Sequence, residues 1–159
     1  MTYKIVLLAL CLLGVALYTT ACSSSVPDKL GVKNGKLASC PSSPNCISSQ
    51  DTDKEHSFKA LKASGDTNDV MLHLADTIKE MNGKVITIEG PYLHAEFRSK
   101  IFRFVDDLEC YYDESKELIE IRSAARLGYS DFSVNRKRAE ELRALFKKTK
   151  QSISHYTKP

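Results

Sequence analysis

A run of alternating apolar and polar residues over Tyr92–Arg98 constrains the fold of this chain more than any other feature. Such a period of two residues is typical of a strand that buries one face. Similar runs occupy residues 84–89, 101–112 and 118–124, and only short turns separate them. Short connections favour pairing between successive strands. The pattern therefore predicts a four-stranded antiparallel meander sheet.

Two amphipathic helices are predicted on either side of these strands. The first spans residues 66–83, begins with Asp66 or Thr67 as its cap, and has apolar residues at helical spacing. The second begins after Ser133, its predicted cap, and spans residues 134–154. Apolar stripes of this kind pack on the apolar face of a sheet. The predicted fold class is therefore α+β, with two helices packed on one face of the sheet.

The amino-terminal segment has the layout of a secretory signal. Lys4 is followed by thirteen mainly apolar residues, 5–17, whereas a membrane-spanning helix needs about 20. Small residues then lead to Cys22 and resemble the bacterial lipoprotein box, with Thr19 in the place of the usual leucine. We expect a signal peptide over residues 1–21 and acyl chains, including palmitate, on Cys22. An ordinary signal peptide or a short membrane anchor is the alternative.

Lipid on Cys22 would make the membrane itself a partner, since each buried methylene contributes about 0.8 kcal/mol. Ser23 rather than aspartate follows Cys22, so the lipoprotein resemblance implies the outer membrane, facing the periplasm, in a Gram-negative cell. In another cell type it implies the cell membrane. The net charge of +3, from 23 basic and 20 acidic residues, gives little support for a nucleic-acid partner.

Residues 22–38 are polar, lack a regular period and are predicted to form a flexible tether before a single domain over residues 39–159. Cys40 and Cys46 enclose a short loop with two prolines, and in an exported protein we expect them to form a disulfide. A metal or redox site is the alternative. Cys110 lies in a predicted strand and is expected to be an unpaired core residue.

The most distinctive stretch, residues 122–138, combines arginines with polar residues after the last predicted strand. One interpretation is an anion site that uses amides at the helix start and five side chains: Arg122, Arg126, Asp131, Asn135 and Arg138. The other interpretation is a structural ion-pair network, in which these arginines bind carboxylates of Asp106, Asp107, Glu109 and Asp131.

Catalytic candidates are few. His94, Asp107 and Glu109 supply acid–base groups on the polar face of the predicted sheet, which would suit a hydrolase acting on an envelope ester or phosphate. However, the chain lacks a Gly-x-Ser-x-Gly elbow, a phosphate-binding glycine loop and a His-Glu-x-x-His helix. His94 and Glu96 with the two strand carboxylates lack a diagnostic metal spacing, so neither a metal nor a cofactor is predicted.

Several motifs together resemble family 1499 of the domains of unknown function: Cys40-Pro-x-Ser-Pro-Asn-Cys46, Tyr92-Leu-His-Ala-Glu96, Phe104-Val-Asp-Asp-x-Glu109, and Arg122-Ser-x-x-Arg-x-Gly-Tyr-x-Asp131 with Asn135-Arg-x-Arg138. The resemblance implies a bacterial protein, often membrane-associated or lipid-anchored, and brings no established activity. We therefore expect a non-enzymatic lipid-anchored envelope protein whose arginine and carboxylate corner binds an envelope protein or an anionic ligand. An envelope hydrolase and a purely structural envelope module are the alternatives.

Overall fold

The computed structural model describes residues 25–101 and 103–156. The predicted signal peptide, residues 1–21, and the predicted acylation site Cys22 lie outside these residues. Within the described ranges, neither helix combines the length and the apolar character that crossing a membrane requires.

In the part of the chain that the structure describes, the sheet has six antiparallel strands: β1 (Cys46–Ser48), β2 (Leu61–Lys62), β3 (Lys84–Glu89), β4 (Tyr92–Arg98), β5 (Val105–Asp113) and β6 (Leu118–Ala125). Their order is β1-β6-β5-β4-β3, and β2 also pairs with β6. The four predicted strands are present as a meander from β3 to β6. The strand count is six rather than four because two short strands pair along the far side of β6.

Among the described residues, two helices complete the α+β fold, as predicted: α1 (Thr67–Glu80) and α2 (Val134–Tyr156). The Asp66 side chain accepts a hydrogen bond from Asn68 N at the start of α1, so Asp66 is the cap. At the start of α2 the expected cap, Ser133, is replaced by Asp131. The Asp131 carboxylate accepts hydrogen bonds from the backbone N–H groups of Ser133 and Asn135.

The hydrophobic core lies between the helices and one face of the sheet. Leu74 and Ile78 from α1 and Leu142 from α2 join Leu108 and Ile121 from the sheet, and each is fully buried. Cys110 is also fully buried here and is the free cysteine among the described residues, as predicted. Burial strongly raises the pKa of its thiol, so it remains protonated.

The outer edge of the sheet is the strand β3. Its pairing with β4 shifts register between Val85 and Thr87, which marks a bulge. Ile86 and Ile88, on either side of Thr87, are 41% and 43% exposed. The edge is therefore irregular and only partly covered.

Residues 25–38, hereafter the N-terminal strap, contact the face of the sheet opposite the helices. Gly31 N donates to Glu109 Oε1 on β5 at 2.8 Å, and Leu37 N donates to Gln50 Oε1 at 2.8 Å. Leu37 is 6% exposed. A flexible tether was predicted over residues 22–38; within residues 25–38, a distant carboxylate and a distant amide bind the backbone.

Candidate functional site

The polar face of the sheet lies under the N-terminal strap. It carries several of the charged residues that the sequence analysis named as candidates. Strand alternation places His94 and Glu96 of β4 on this face, together with Asp107 and Glu109 of β5. Arg122 of β6 lies directly opposite Glu109. These neighbours form two hydrogen-bonded clusters.

The first is the His94 cluster, which comprises His94, Glu96, Asp107 and Arg126. The Arg126 guanidinium donates to both oxygens of Asp107 at 2.6 and 2.8 Å and to Glu96 Oε1 at 2.5 Å. His94 Nε2 lies 2.7 Å from Asp107 Oδ1. The side chains of His94, Asp107 and Arg126 are 5%, 2% and 5% exposed, so this cluster is almost fully withdrawn from water.

Hydrogen bonding decides the charge state of Asp107. Burial alone would raise the pKa of its carboxyl, but the hydrogen bonds from Arg126 and His94 hold that pKa below its usual value. The carboxylate therefore only accepts, and His94 Nε2 carries the shared hydrogen. The hydrogen bond with Asp107 in turn raises the pKa of the Arg126 guanidinium. Asp107 is thus a permanent counter-ion rather than a group poised to exchange protons near neutral pH.

The second is the Glu109 cluster, which comprises Gly31, Tyr92, Glu109 and Arg122. Glu109 is fully buried; it binds Arg122 Nη1 at 2.9 Å, Tyr92 Oη at 3.0 Å and Gly31 N at 2.8 Å. Burial, followed by the nearby Glu109 charge, raises the pKa of the Tyr92 hydroxyl, which keeps it a donor. Within the described part of the chain, the buried Arg122 Nε makes no hydrogen bond. This cluster fastens the N-terminal strap to the sheet.

A third group, the Arg138 cluster of Asp106, Ser123, Asn135 and Arg138, lies on the helix side of the sheet. Arg138 Nη2 donates to Asp106 Oδ2 at 2.6 Å, and Arg138 Nη1 donates to Ser123 Oγ at 3.1 Å and to Asn135 Oδ1. The guanidinium also lies over the Phe97 ring, 4.6 Å from its centroid. This cluster joins α2 to strands β4, β5 and β6.

The sheet therefore separates the five residues predicted to form one anion site. Arg122 and Arg126 lie on the strap side, whereas Asn135 and Arg138 lie on the helix side. Asp131 already occupies the amides at the start of α2 that were expected to receive the anion, and it also accepts from Asn135 Nδ2 at 2.7 Å. The physical reason is the side-chain period of two: the adjacent Asp106 and Asp107 point to opposite faces and draw their arginines with them.

The catalytic candidates are also divided. His94 lies directly opposite Glu109 in the pairing of β4 with β5, but it hydrogen-bonds to Asp107, whereas Glu109 binds Arg122 in the other cluster. Arg126 lies between Glu96 and Asp107, where its positive charge opposes a bound cation.

Three side chains of the types that bind metal ions lie together outside these clusters. Potential ligand atoms of Asp53, Glu55 and His56 lie within 4.8 Å of one another. His56 Nδ1 is 3.0 Å from the carbonyl oxygen of Cys46. Asp53 and Glu55 are exposed carboxylates, and Asp53 Oδ1 already accepts a hydrogen bond from Glu55 N.

Asn45 is a linking residue that the sequence analysis missed. The predicted disulfide between Cys40 and Cys46 is present, with an S–S distance of 2.07 Å, and Asn45 lies inside its loop. Asn45 Nδ2 donates to the carbonyl of Gly128 at 2.6 Å, and its own carbonyl accepts from Asn135 Nδ2 at 3.0 Å. Asn45 thus connects the disulfide loop to the corner between β6 and α2. Its position in the Pro-Asn-Cys motif was the available signal.

Comparison with known families gives one match. A family model described as "Protein of unknown function (DUF1499)" matches residues 36–146, which includes the six strands, α1 and the first half of α2. No curated protein matches the chain.

Proposed function

Because the chain belongs to the DUF1499 family of proteins of unknown function, we propose its function from its own residues: a lipid-anchored envelope protein whose α+β domain is a non-catalytic docking module. Acyl chains on Cys22 hold it to the outer membrane, on the periplasmic side. The arginine and carboxylate clusters are the internal framework of that module. A protein or a membrane surface, rather than a small anion, is its partner.

One observation carries this proposal: the guanidinium groups of the site are already bound to carboxylates of the same chain. Arg122 binds Glu109, Arg126 binds Asp107 and Glu96, and the side chains of both arginines are at most 13% exposed. An incoming anion would have to displace a buried carboxylate, which would leave that charge without compensation. The same argument disfavours a hydrolase, because Asp107 is held as a counter-ion and His94 is 4% exposed.

The N-terminal strap supports a position close to the membrane. Gly31 is fixed to Glu109 and lies nine positions after Cys22 (31 − 22), so the intervening chain spans at most about 32 Å. A domain of this size has a radius of gyration of about 14 Å. The proposed anchor therefore keeps the domain within roughly its own diameter of the bilayer surface.

Mass spectrometry of the native protein extracted from membranes tests the anchor. We expect a chain that begins at Cys22, carries acyl chains there and contains the Cys40–Cys46 disulfide. The Cys22→Ser variant should retain residues 1–21 or leave the membrane fraction. An intact, unacylated wild-type chain in the soluble fraction would contradict the proposal.

Hydrolase activity is tested with soluble esters and phosphate esters as substrates. We expect the wild-type protein and His94→Ala to give the same rates as buffer alone. Turnover by the wild type that His94→Ala abolishes would instead favour an envelope hydrolase.

A further inference from the structure

One end of the sheet carries two loops with exposed apolar side chains. The first loop joins β4 to β5, and the second joins β6 to α2. Arg126 N donates to the carbonyl of Val105 at 3.1 Å, which brings the start of the second loop to the end of the first. We call the exposed apolar residues of these loops, together with the first residue of α2, the apolar end: Ile101, Phe104, Leu127, Tyr129, Phe132 and Val134.

Exposure at the apolar end is unusually high. Ile101, Tyr129 and Phe132 are 82%, 74% and 87% exposed. Single exposed apolar residues are ordinary, whereas several on neighbouring loops are typical of an interaction surface. Phe132 and Ser133 also have φ angles of 53° and 63°, in the left-handed region that costs energy for residues with a Cβ atom. The second loop therefore presents Phe132 to solvent at some conformational cost.

The charges beside the apolar end are mainly positive. Arg98, Lys100 and Arg103 lie in or next to the first loop and are exposed, and no acidic residue occurs between positions 98 and 104. Lys137, in the first turn of α2, is also exposed. Apolar side chains bordered by lysine and arginine match a bilayer surface with anionic headgroups.

The N-terminal strap allows this end to reach the membrane. Glu109, where Gly31 is fixed, lies four positions along β5 from Val105 at the base of the first loop, a distance of about 13 Å. A fully extended chain between Cys22 and Gly31 would reach further than this, to at most about 32 Å. A lipid on Cys22 and the apolar end can therefore occupy the same bilayer surface.

We propose that the apolar end inserts into the headgroup region of the membrane that holds Cys22, so that the domain docks on anionic phospholipid with a fixed orientation. This inference rests on the lipid anchor of the proposed function and names the docking partner. The anchor and the apolar end act as two contacts, which restrict how the domain turns on the surface.

Site-specific fluorescence tests the proposal, because the chain contains no tryptophan. Phe132→Trp places one indole at the apolar end. Leu72→Trp is the matched control, since Leu72 is 60% exposed on α1. The start of α1 lies near the turn between β5 and β6, at the opposite end of the sheet, where Thr67 Oγ1 binds Glu114. Each acylated full chain is reconstituted in vesicles of phosphatidylethanolamine and phosphatidylglycerol.

In these vesicles we expect the Phe132→Trp emission to shift to shorter wavelength and to be quenched by phospholipids with brominated acyl chains. Leu72→Trp should show neither effect. The shift should weaken in phosphatidylcholine vesicles, which lack anionic headgroups. Ile101→Trp, at an 82% exposed position, repeats the measurement if Phe132→Trp does not fold.

Two results would overturn the proposal and leave the anchor standing. Acylated Phe132→Trp that stays accessible to aqueous iodide would show that the apolar end remains in water. A blue shift without quenching by brominated lipid would show that a protein, such as a second copy, covers the apolar end. Absence of the acyl chain by mass spectrometry would instead contradict the proposed function, and this inference with it.

Discussion

On the strap side of the sheet, Arg126 neutralises the negative charge of two carboxylates. It binds Asp107 and Glu96, and its side chain is 5% exposed. We predict that Arg126→Ala lowers the free energy of unfolding by about 3–5 kcal/mol, because removal of one partner leaves the others buried and uncompensated. Urea denaturation followed by circular dichroism measures this change.

Arg98→Ala is the control for this prediction. Arg98 lies on the same face, but its side chain is 42% exposed and its guanidinium is 3.9 Å from Glu96. Exposed ion pairs contribute about 0–1 kcal/mol, so this variant should unfold almost as the wild type does. Equal, small losses for both variants would contradict the framework role of the His94 cluster.

The Asp107 carboxylate makes the stability of the folded protein depend on pH in the acidic range. Its pKa is lower in the folded protein than in the unfolded chain, so its contribution is present above the unfolded value, near 3.8. That contribution is lost as the pH falls through the lowered folded value. We predict that Asp107→Asn is less stable than the wild type at pH 7 and loses less further stability in this acidic window.

Thermal denaturation between pH 7 and pH 2 measures the difference. Asp76→Asn serves as the comparison, since the Asp76 side chain is 74% exposed in a surface pair with Lys79. Curves for Asp107→Asn that parallel the wild-type curves throughout would show that this carboxylate does not carry the pH dependence.

At the residue scale, the sequence predicted which kinds of side chain bind each other better than it predicted on which face of the sheet each pair lies. The expectation that arginines of residues 122–138 bind strand carboxylates is met by Arg126 with Asp107 and by Arg138 with Asp106. The alternation of side chains along β5 already implied that the arginine partners of Asp106 and Asp107 lie on opposite faces of the sheet. The bond from Gly31 to Glu109 was not predictable, because it depends on where a distant loop crosses the sheet.

The N-terminal strap is bound to the sheet by a hydrogen bond from Gly31. Glu109 holds it through Gly31 N, while Lys29 and Lys33, on either side of Gly31, offer trypsin exposed cleavage sites. We predict that Glu109→Gln speeds cleavage at these lysines several-fold. The reason is that a neutral glutamine side chain binds the Arg122 guanidinium and the backbone N–H of Gly31 more weakly than a carboxylate does. Timed trypsin digestion with mass spectrometry measures the rate.

Glu114→Gln is the matched control for strap release. Glu114 is exposed and accepts a hydrogen bond from Thr67 in α1, away from the N-terminal strap. Its cleavage rate should equal that of the wild type. Identical rates for Glu109→Gln would mean that other contacts, such as Leu37 with Gln50, are sufficient to hold the strap.

The turn between α1 and β3 depends on Gly83. A Cβ atom at this position would lie 2.6 Å from Ile78 Cγ2 and 2.6 Å from Phe97 Cζ, far inside normal contact. We predict that Gly83→Ala destabilises the protein by about 1–3 kcal/mol through overpacking. Urea denaturation measures the loss. A neutral result would mean that the Phe97 ring moves freely, contrary to its position beneath Arg138.

At the element scale, periodicity explains what was predictable. Strands β3 to β6 and both helices are long enough for a period of two or 3.6 residues to emerge. Strands β1 and β2 have three and two residues, too few for any pattern, and form only because β6 offers its edge. The N-terminal strap has no period, and its fastening partner Glu109 lies 78 positions away from Gly31.

At the scale of the whole molecule, the described residues form three layers with two different interfaces. Helices and sheet enclose an apolar core around Leu74, Leu108 and Phe146, whereas sheet and N-terminal strap meet across the buried Glu109 cluster. Apolar burial supplies most of the stability of such a domain, while hydrogen bonds between buried polar groups favour one arrangement of the parts that they join. The helix side therefore holds the fold together, and the strap side determines where the proposed anchor attaches.

The bulge in β3 has a consequence for copies that share one membrane. Copies confined to one membrane collide more often than copies in bulk solution. A straight edge strand without a partner would let such copies pair strand to strand and form fibres. The register shift between Val85 and Thr87 bends the hydrogen-bonding row out of line, and charged Lys84 and Glu89 stand at its ends. For copies that the proposed anchor would hold in one membrane, we therefore expect this edge to pair poorly with the same strand of a second copy.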